Sequence, residues 1–174
     1  MSNFLCEKKQ DIDYFLKKQA IRYEIQGLAR TYFVIEDKTF DHISEIKILG
    51  YFTLSQKTLN IDKGISKTKI KKLTGFSNPR EKNIPVFLIG QLGKNDKFRS
   101  KISGDELIEK AHFKIKEGQE KIAGRGILVE CKNIPYLRNF YEKHNYIFID
   151  KEYKKGDLLQ YLKILNPEDI IEKR

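Results

Sequence analysis

The sequence predicts a mixed α/β fold, and three features of its patterning predict it. Two β-rich segments stand near the N-terminus, a strand–helix–strand unit occupies the middle, and a proline-started helix lies between two further strands towards the C-terminus. Apolar periods of two and of 3.6 residues therefore alternate along the chain, as they do where helices pack on a sheet. At 174 residues, one domain spanning 1–174 is expected, with enough chain to enclose a core without metal or disulfide support.

In chain order, the first element is a helix over residues 11–26, DIDYFLKKQAIRYEIQ. Asp11 can cap it, Ile12, Phe15, Leu16, Ala20 and Tyr23 recur at three- and four-residue spacing, and Gly27 ends it. Residues 31–36 and 46–55 are β-rich and joined by a polar connection, the pattern of a meander. Residues 66–82 are basic and carry Gly75, Asn78 and Pro79, which reads as a loop or one short helix. The near-continuous apolar run at 84–92 has the pattern of a strand buried on both faces. A second amphipathic helix follows at 103–117, with Leu107, Ile108, Ala111 and Ile115 on its apolar side. Residues 118–126 link it to a strand at 127–130, and a helix then runs from Pro135 to about Lys143. Strands at 146–149 and 158–165 complete the domain, and 166–174 form a polar tail. There is no internal repeat and no low-complexity tract.

Composition narrows the setting. No apolar run approaches the roughly 20 residues needed to cross a bilayer, and MSNFLCEKKQD lacks the apolar stretch of a secretory signal, so neither membrane insertion nor export is expected. Cys6 and Cys131 are far apart and without metal-ligand spacing. Both read as thiols in a reducing, cytoplasmic environment, and no metal site is expected. Formal net charge is +10, and residues 60–101 hold eleven Lys or Arg against Asp62, Glu81 and Asp96. Clustered positive charge attracts polyanions: the phosphates of a nucleotide cofactor, an RNA or an acidic protein. A lysine-rich solvated surface is the plain alternative.

Two segments carry candidate chemistry. Between the central strand and its helix lies KNDKFRSKISGDELIEKA. A loop delivering the chain into a helix N-terminus presents unpaired N–H groups and a partial positive charge, a ready diphosphate site. Lys94, Lys97, Arg99 and Lys101 would add mobile positive charge around it. Ser103 and Glu106 also form the pattern of a capping box, which any helix can use. The second segment, GILVECKNIPYLRNFYEKHNYIFI, places Phe140 and Tyr141 on a short helix. Adjacent positions face about 100° apart, so Phe140 can fill the core while Tyr141 is available for chemistry, and a core role for Tyr141 is the alternative. Asn133 is placed as an ordinary N-cap. No general base stands out: Glu130 lies on a strand, His144 reads as a solvated cation closing the helix, and His42 and His112 have no visible partner.

These segments resemble the GNAT family of N-acetyltransferases. The resemblance implies a central, mixed, mostly antiparallel sheet splayed between two strands and flanked by helices, with acetyl-CoA as cosubstrate. It implies that Tyr141 is the general acid protonating the departing thiolate. The family's pyrophosphate-binding frame, Gln/Arg-x-x-Gly-x-Gly/Ala, corresponds to Arg99-Ser100-Lys101-Ile102-Ser103-Gly104; Arg99 and Gly104 match, and Ile102 departs where glycine is usual. By the same resemblance the backbone of Leu92, Gly93 and Lys94 pairs with the pantetheine arm, a bulge at Gly93 splays the strand, and an N–H near Leu92 or Gly93 stabilises the oxyanion. Asn133 corresponds to a pantetheine-contacting asparagine. Gln91 and Asn95 replace charged residues of the family pattern.

Within the family the chain is similar to acetyltransferase toxins of bacterial toxin–antitoxin pairs. The shared frame includes Gly27-Leu28-Ala29-Arg30-Thr31-Tyr32 and Gly50-Tyr51-Phe52-Thr53-Leu54-Ser55, and covers roughly residues 12–150. This implies the amino acid of charged tRNA as acceptor, a partner antitoxin and no membrane association, with a homodimer left open. Two other readings stay open: an acetyltransferase for a protein or small-molecule amine, and a non-catalytic module binding RNA or a protein.

Overall fold

The computed structural model describes residues 4–7, 9–36, 46–61, 65–149 and 156–165. The expected polar connection after residue 36, His42 and the tail at 166–174 lie outside these residues. The described chain forms α1 (Gln10–Tyr14), a π-helical turn (Phe15–Gln19), α2 (Ala20–Ile25), β1 (Arg30–Ile35), β2 (Ile48–Asn60), α3 (Lys67–Thr74) and β3 (Asn83–Lys94). A 3-10 turn (Asp96–Phe98), α4 (Gly104–Ile122), β4 (Gly126–Cys131), α5 (Pro135–Lys143), β5 (Ile147–Ile149) and β6 (Leu159–Ile164) follow. The strands form one six-stranded sheet in the order β1-β2-β3-β4-β6-β5. Pairing of β1 with β2, β4 with β6 and β5 with β6 is antiparallel. This is the mixed α/β, mostly antiparallel open sheet with flanking helices that the sequence predicts. No described helix is long and apolar enough to cross a membrane.

The chain divides into two compact units, Met1–Ser55 with Ile89–Ile115, and Gln56–Leu88 with Lys116–Arg174. In the first, Ile12, Phe15, Leu16 and Ala20 pack with Phe4, Cys6 and Tyr51 in a buried cluster. Three- and four-residue steps bring these side chains to one face of the helix. Asp11 does not cap this helix: Lys9 is its N-cap and no side chain bonds there. Gly27 ends it as expected, at φ 66°. The Tyr51 hydroxyl donates to Ile12 O at 2.6 Å, which fixes the helix to β2. Two glycines permit close packing beside that bond. A Cβ on Gly93 would lie 2.4 Å from Ile12 Cγ2, and one on Gly50 would lie 3.1 Å from Gly93 O. Gly93 is thus glycine for lack of room within β3.

In the second unit, Leu59, Ile61, Leu73, Val86, Leu128, Ile149 and Leu162 form the core cluster, each buried aliphatic side chain contributing roughly 1.5–3 kcal/mol. Helix α3 occupies part of the basic segment: Ser66 caps it, accepting from Lys69 N, and Gly75 closes it at φ 87°. Gly126 opens β4 where a Cβ would meet Val86 Cγ1 at 2.6 Å, so the starts of β3 and β4 lie side by side as in a parallel crossover. Strand β3 is less uniformly buried than its apolar run suggests, with Pro85 and Gly90 exposed. Helix α4 runs five residues past its expected end to Ile122, and Ala123 and Gly124 then take positive φ.

Replacing Gly93 with alanine forces Ile12 out of its rotamer or the helix off the strand. Urea denaturation is expected to show a loss of about 1–3 kcal/mol; an unchanged midpoint would mean that the helix yields without cost.

Candidate functional site

The loop between β3 and α4 is anchored by Asn95, which has no exposed surface. Its backbone N–H donates to Leu49 O at 2.8 Å and its side-chain amide donates to Ile48 O at 2.8 Å. Its Oδ1 accepts from the N–H groups of Leu5 at 3.3 Å and Lys97 at 3.1 Å. An amide side chain both donates and accepts, so a carboxylate in its place would leave Ile48 O unsatisfied. Asp96 extends the anchorage: its N–H donates to Leu5 O at 2.7 Å, and its carboxylate accepts from Glu7 N at 2.9 Å.

The loop cations are mostly held in place, contrary to the expectation of mobile charge. Lys94 Nζ donates to the carbonyls of Arg99 (3.3 Å) and Ile102 (2.9 Å), bracing the turn from within. Arg99 Nε pairs with Asp96 Oδ1 at 3.0 Å. Lys101 pairs with Glu36 at the end of β1, which also meets Lys47 at 3.5 Å. Hydrogen bonding by Lys101, then the charges of Lys101 and Lys47, holds the Glu36 carboxyl below the usual carboxylate range. Lys97 is the one of the four whose side chain has no recorded partner among the described residues. Ser100 is exposed, while Ile102 is 4% exposed and outside the left-handed region. The isoleucine therefore points into the protein and leaves its carbonyl to Lys94.

The capping box at the start of α4 is formed. Ser103 N donates to Glu106 Oε2 at 2.7 Å, and Glu106 N donates to Ser103 Oγ at 3.0 Å. The Ser103 N–H holds the Glu106 carboxyl below its ordinary range. Side chains thus satisfy two N–H groups of this helix end, and Asp105 and Glu106 place acidic side chains in the first turn beside Gly104.

Asn133 and Tyr141 belong to the second unit, and the residues from Leu92 to Gly104 to the first. After β4 the chain makes a tight turn, Ile134 N donating to Lys132 O at 2.8 Å, with exposed Asn133 at its centre. Ile134 is the N-cap of α5 and no side chain bonds there, so Asn133 does not cap the helix. Pro135 begins the helix, where its missing N–H costs nothing. The division of labour on α5 is the reverse of that expected: Tyr141 is 7% exposed, whereas Phe140 is half-buried. The Tyr141 ring meets Phe140, Tyr146 and Tyr161 at centroid distances of 5.2, 5.6 and 6.0 Å. Burial, with smaller contributions from Cys131 and Tyr136, raises its phenol pKa well above the ordinary value. No hydrogen bond to its hydroxyl is found among the described residues. Tyr161, pushed up to about 12 by burial and then by Glu142, donates to Glu142 Oε1 at 3.2 Å.

The base candidates are occupied. Glu130 pairs with Lys57 Nζ at 2.6 Å and accepts from Gln160 Nε2 at 2.6 Å. His144 is buried against Phe140 at 4.9 Å rather than solvated, since the helix ends within the aromatic cluster. His112 Nδ1 lies 3.5 Å from Glu109 on the preceding turn, a partner its spacing could have revealed. Neither buried cysteine is in a disulfide, and no cluster of three or more His, Cys, Asp or Glu among the described residues is placed to hold a metal.

No family model matches the chain, and no curated protein matches it. Solved structures do match. AtaT complexed with acetyl-methionyl-tRNAfMet is similar at a TM-score of 0.73 and 21% identity, over 94% of this chain and 86% of that one. A Tyr-to-Phe variant of KacT gives a TM-score of 0.72 and 21% identity over 92% of this chain and 86% of that one. A Tyr-to-Phe variant of AtaT, bound to the C-terminus of the antitoxin AtaR and to acetyl-CoA, gives 0.66 and 18% over 92% and 82%. These are acetyltransferase toxins of toxin–antitoxin systems with the GNAT fold, and the chain shares that fold.

The Glu106 carboxyl ionises more readily folded than unfolded, so its contribution is present above the ordinary glutamate pKa of about 4.3 and is lost as pH falls through its depressed value. Glu106→Gln retains a capping side chain. The melting temperature of the parent is expected to exceed that of the variant above pH of about 5 and to converge with it in stronger acid; a pH-independent difference would contradict this.

Proposed function

We propose that the chain, working as one domain over 1–174, is an acetyl-CoA-dependent N-acetyltransferase whose acceptor is the amino acid carried by tRNA. The observation that carries this reading is its likeness to toxin structures of which one holds acetyl-methionyl-tRNA and another acetyl-CoA. Tyr141 is the general acid. A phenol with an upward-shifted pKa keeps its proton throughout the physiological range, so it remains loaded for transfer to the leaving thiolate. The loop from Arg99 to Gly104 receives the diphosphate, Leu92, Gly93 and Lys94 offer backbone to the pantetheine arm, and Asn133 contributes its exposed side chain to it. The engagement of Glu130 by Lys57 and Gln160 favours an acceptor that needs little deprotonation. An α-amine, with pKa near 8, meets that condition better than a lysine near 10.4. The same likeness supports an antitoxin partner, since AtaT is found with the C-terminus of AtaR.

One observation favours a module without catalysis: Glu106 fills part of the helix end that a diphosphate would approach. Transfer of labelled acetyl from acetyl-CoA separates the readings. Label is expected on charged tRNA and absent from deacylated tRNA; no label on either would favour the non-catalytic module. Tyr141→Phe is expected to retain the fold and cofactor affinity while turnover falls by about 10²–10⁴-fold. Unchanged turnover would remove Tyr141 from the mechanism. The pH–rate profile is expected to show no falling limb attributable to Tyr141 below pH of about 10, and a limb near 9 that Tyr141→Phe abolishes would contradict its shifted pKa.

A further inference from the structure

Many of the protein's cations are matched by acids. Lys17 pairs with Asp13, Arg30 with Glu24, Lys47 and Lys101 with Glu36, Lys57 with Glu130, and Arg99 with Asp96. Helix α3 breaks that pattern. Its eight residues, KTKIKKLT, carry Lys67, Lys69, Lys71 and Lys72 and no acid. None of these four lysines has an ion pair among the described residues. Lys71 and Lys72 line a pocket of about 440 Å³ with Thr68 and Arg125, and no carboxylate of the described residues lines it. Arg125 Nη1 lies 3.4 Å from Lys72 O, which draws its guanidinium to the end of the same helix. The helix C-terminus offsets only about half a charge, so among the described residues an excess of positive charge stays unbalanced at one place.

We infer that the α3 lysines and this pocket form a phosphodiester-binding site for the body of an RNA. The choice of RNA rests on the charged-tRNA reading above; the site itself rests on unmatched charge and the pocket. Its position supports a macromolecule. Arg125 precedes β4, and Tyr141 lies on the helix after the other end of that strand. Six residues at about 3.3 Å each put roughly 20 Å between the two ends. A nucleic-acid backbone presents phosphates over distances of that order. The site belongs to the second unit, and the β3–α4 loop to the first.

The test is the salt dependence of binding between the full chain and deacylated tRNA, followed by fluorescence anisotropy. Each phosphate contact contributes about one unit to the slope of log Kd against log salt. Lys67→Gln, Lys71→Gln and Lys72→Gln, made together on exposed positions, are expected to lower that slope by about two to three. A control removing the same charge elsewhere, Lys17→Gln, Lys18→Gln and Lys47→Gln, is expected to lower it by less than about one. Thermal melts establish that both variants fold. An equal effect of the two triple variants, or none from the first, would overturn the site. Acetyl transfer to charged tRNA by the parent protein is measured separately, so a failed site and a failed enzymatic reading are told apart.

Discussion

At the end of β3, Asn95 is sealed from solvent and its side chain and N–H bond to four backbone groups, those of Leu5, Ile48, Leu49 and Lys97. Two residues earlier, Gly93 leaves Ile12 just enough room to pack, and the Tyr51 hydroxyl holds the carbonyl of that same Ile12. These contacts fix where the strand stops and where the loop begins. The 3-10 turn, the internal brace from Lys94 and the capping box of α4 all follow from that fixed origin. A buried amide with unmet partners costs about 1–3 kcal/mol per group, so the strand end has little freedom to shift. The candidate coenzyme loop is therefore preorganised by packing and neutral hydrogen bonds, and most of its cations serve that framework before any ligand arrives.

In the second unit the corresponding constraint is aromatic. Tyr141, Tyr146 and Tyr161 pack together with Phe140 around the start of the turn into β5. Burial there has a chemical consequence, because a desolvated phenol resists ionisation and holds its proton. A rigid, protonated hydroxyl suits donation to a leaving group and does not suit base catalysis. Charge is arranged differently in the same unit. Glu130 is neutralised by Lys57, while the lysines of α3 have no acidic partner among the described residues.

Much of this was legible in the sequence where the signal is local. The α5 bounds match the proline start and the apolar spacing, the Ser103–Glu106 box is a four-residue pattern, and Gly27 and Gly75 mark helix ends through positive φ. What escaped depends on distant partners. The close fit of Gly93 escaped because nothing near it in sequence announces Ile12, and Asn95 looked like a lost charge because Leu5 lies ninety positions away. The exchange of roles between Phe140 and Tyr141 arose from the helix's rotation against β5 and β6, which helical periodicity alone does not set. Arg125 had no local signal either: it reads as a linker residue until α3 is seen beside it.

Hydrogen exchange of the full chain, with and without saturating acetyl-CoA, tests the central claim most directly. Protection is expected to rise at the amides of residues 99–104, with α3 unchanged, because the coenzyme diphosphate would rest on that loop and not on the lysine helix. Unaltered exchange across 99–104 at millimolar coenzyme would contradict the account, leaving a shared fold without the shared cosubstrate.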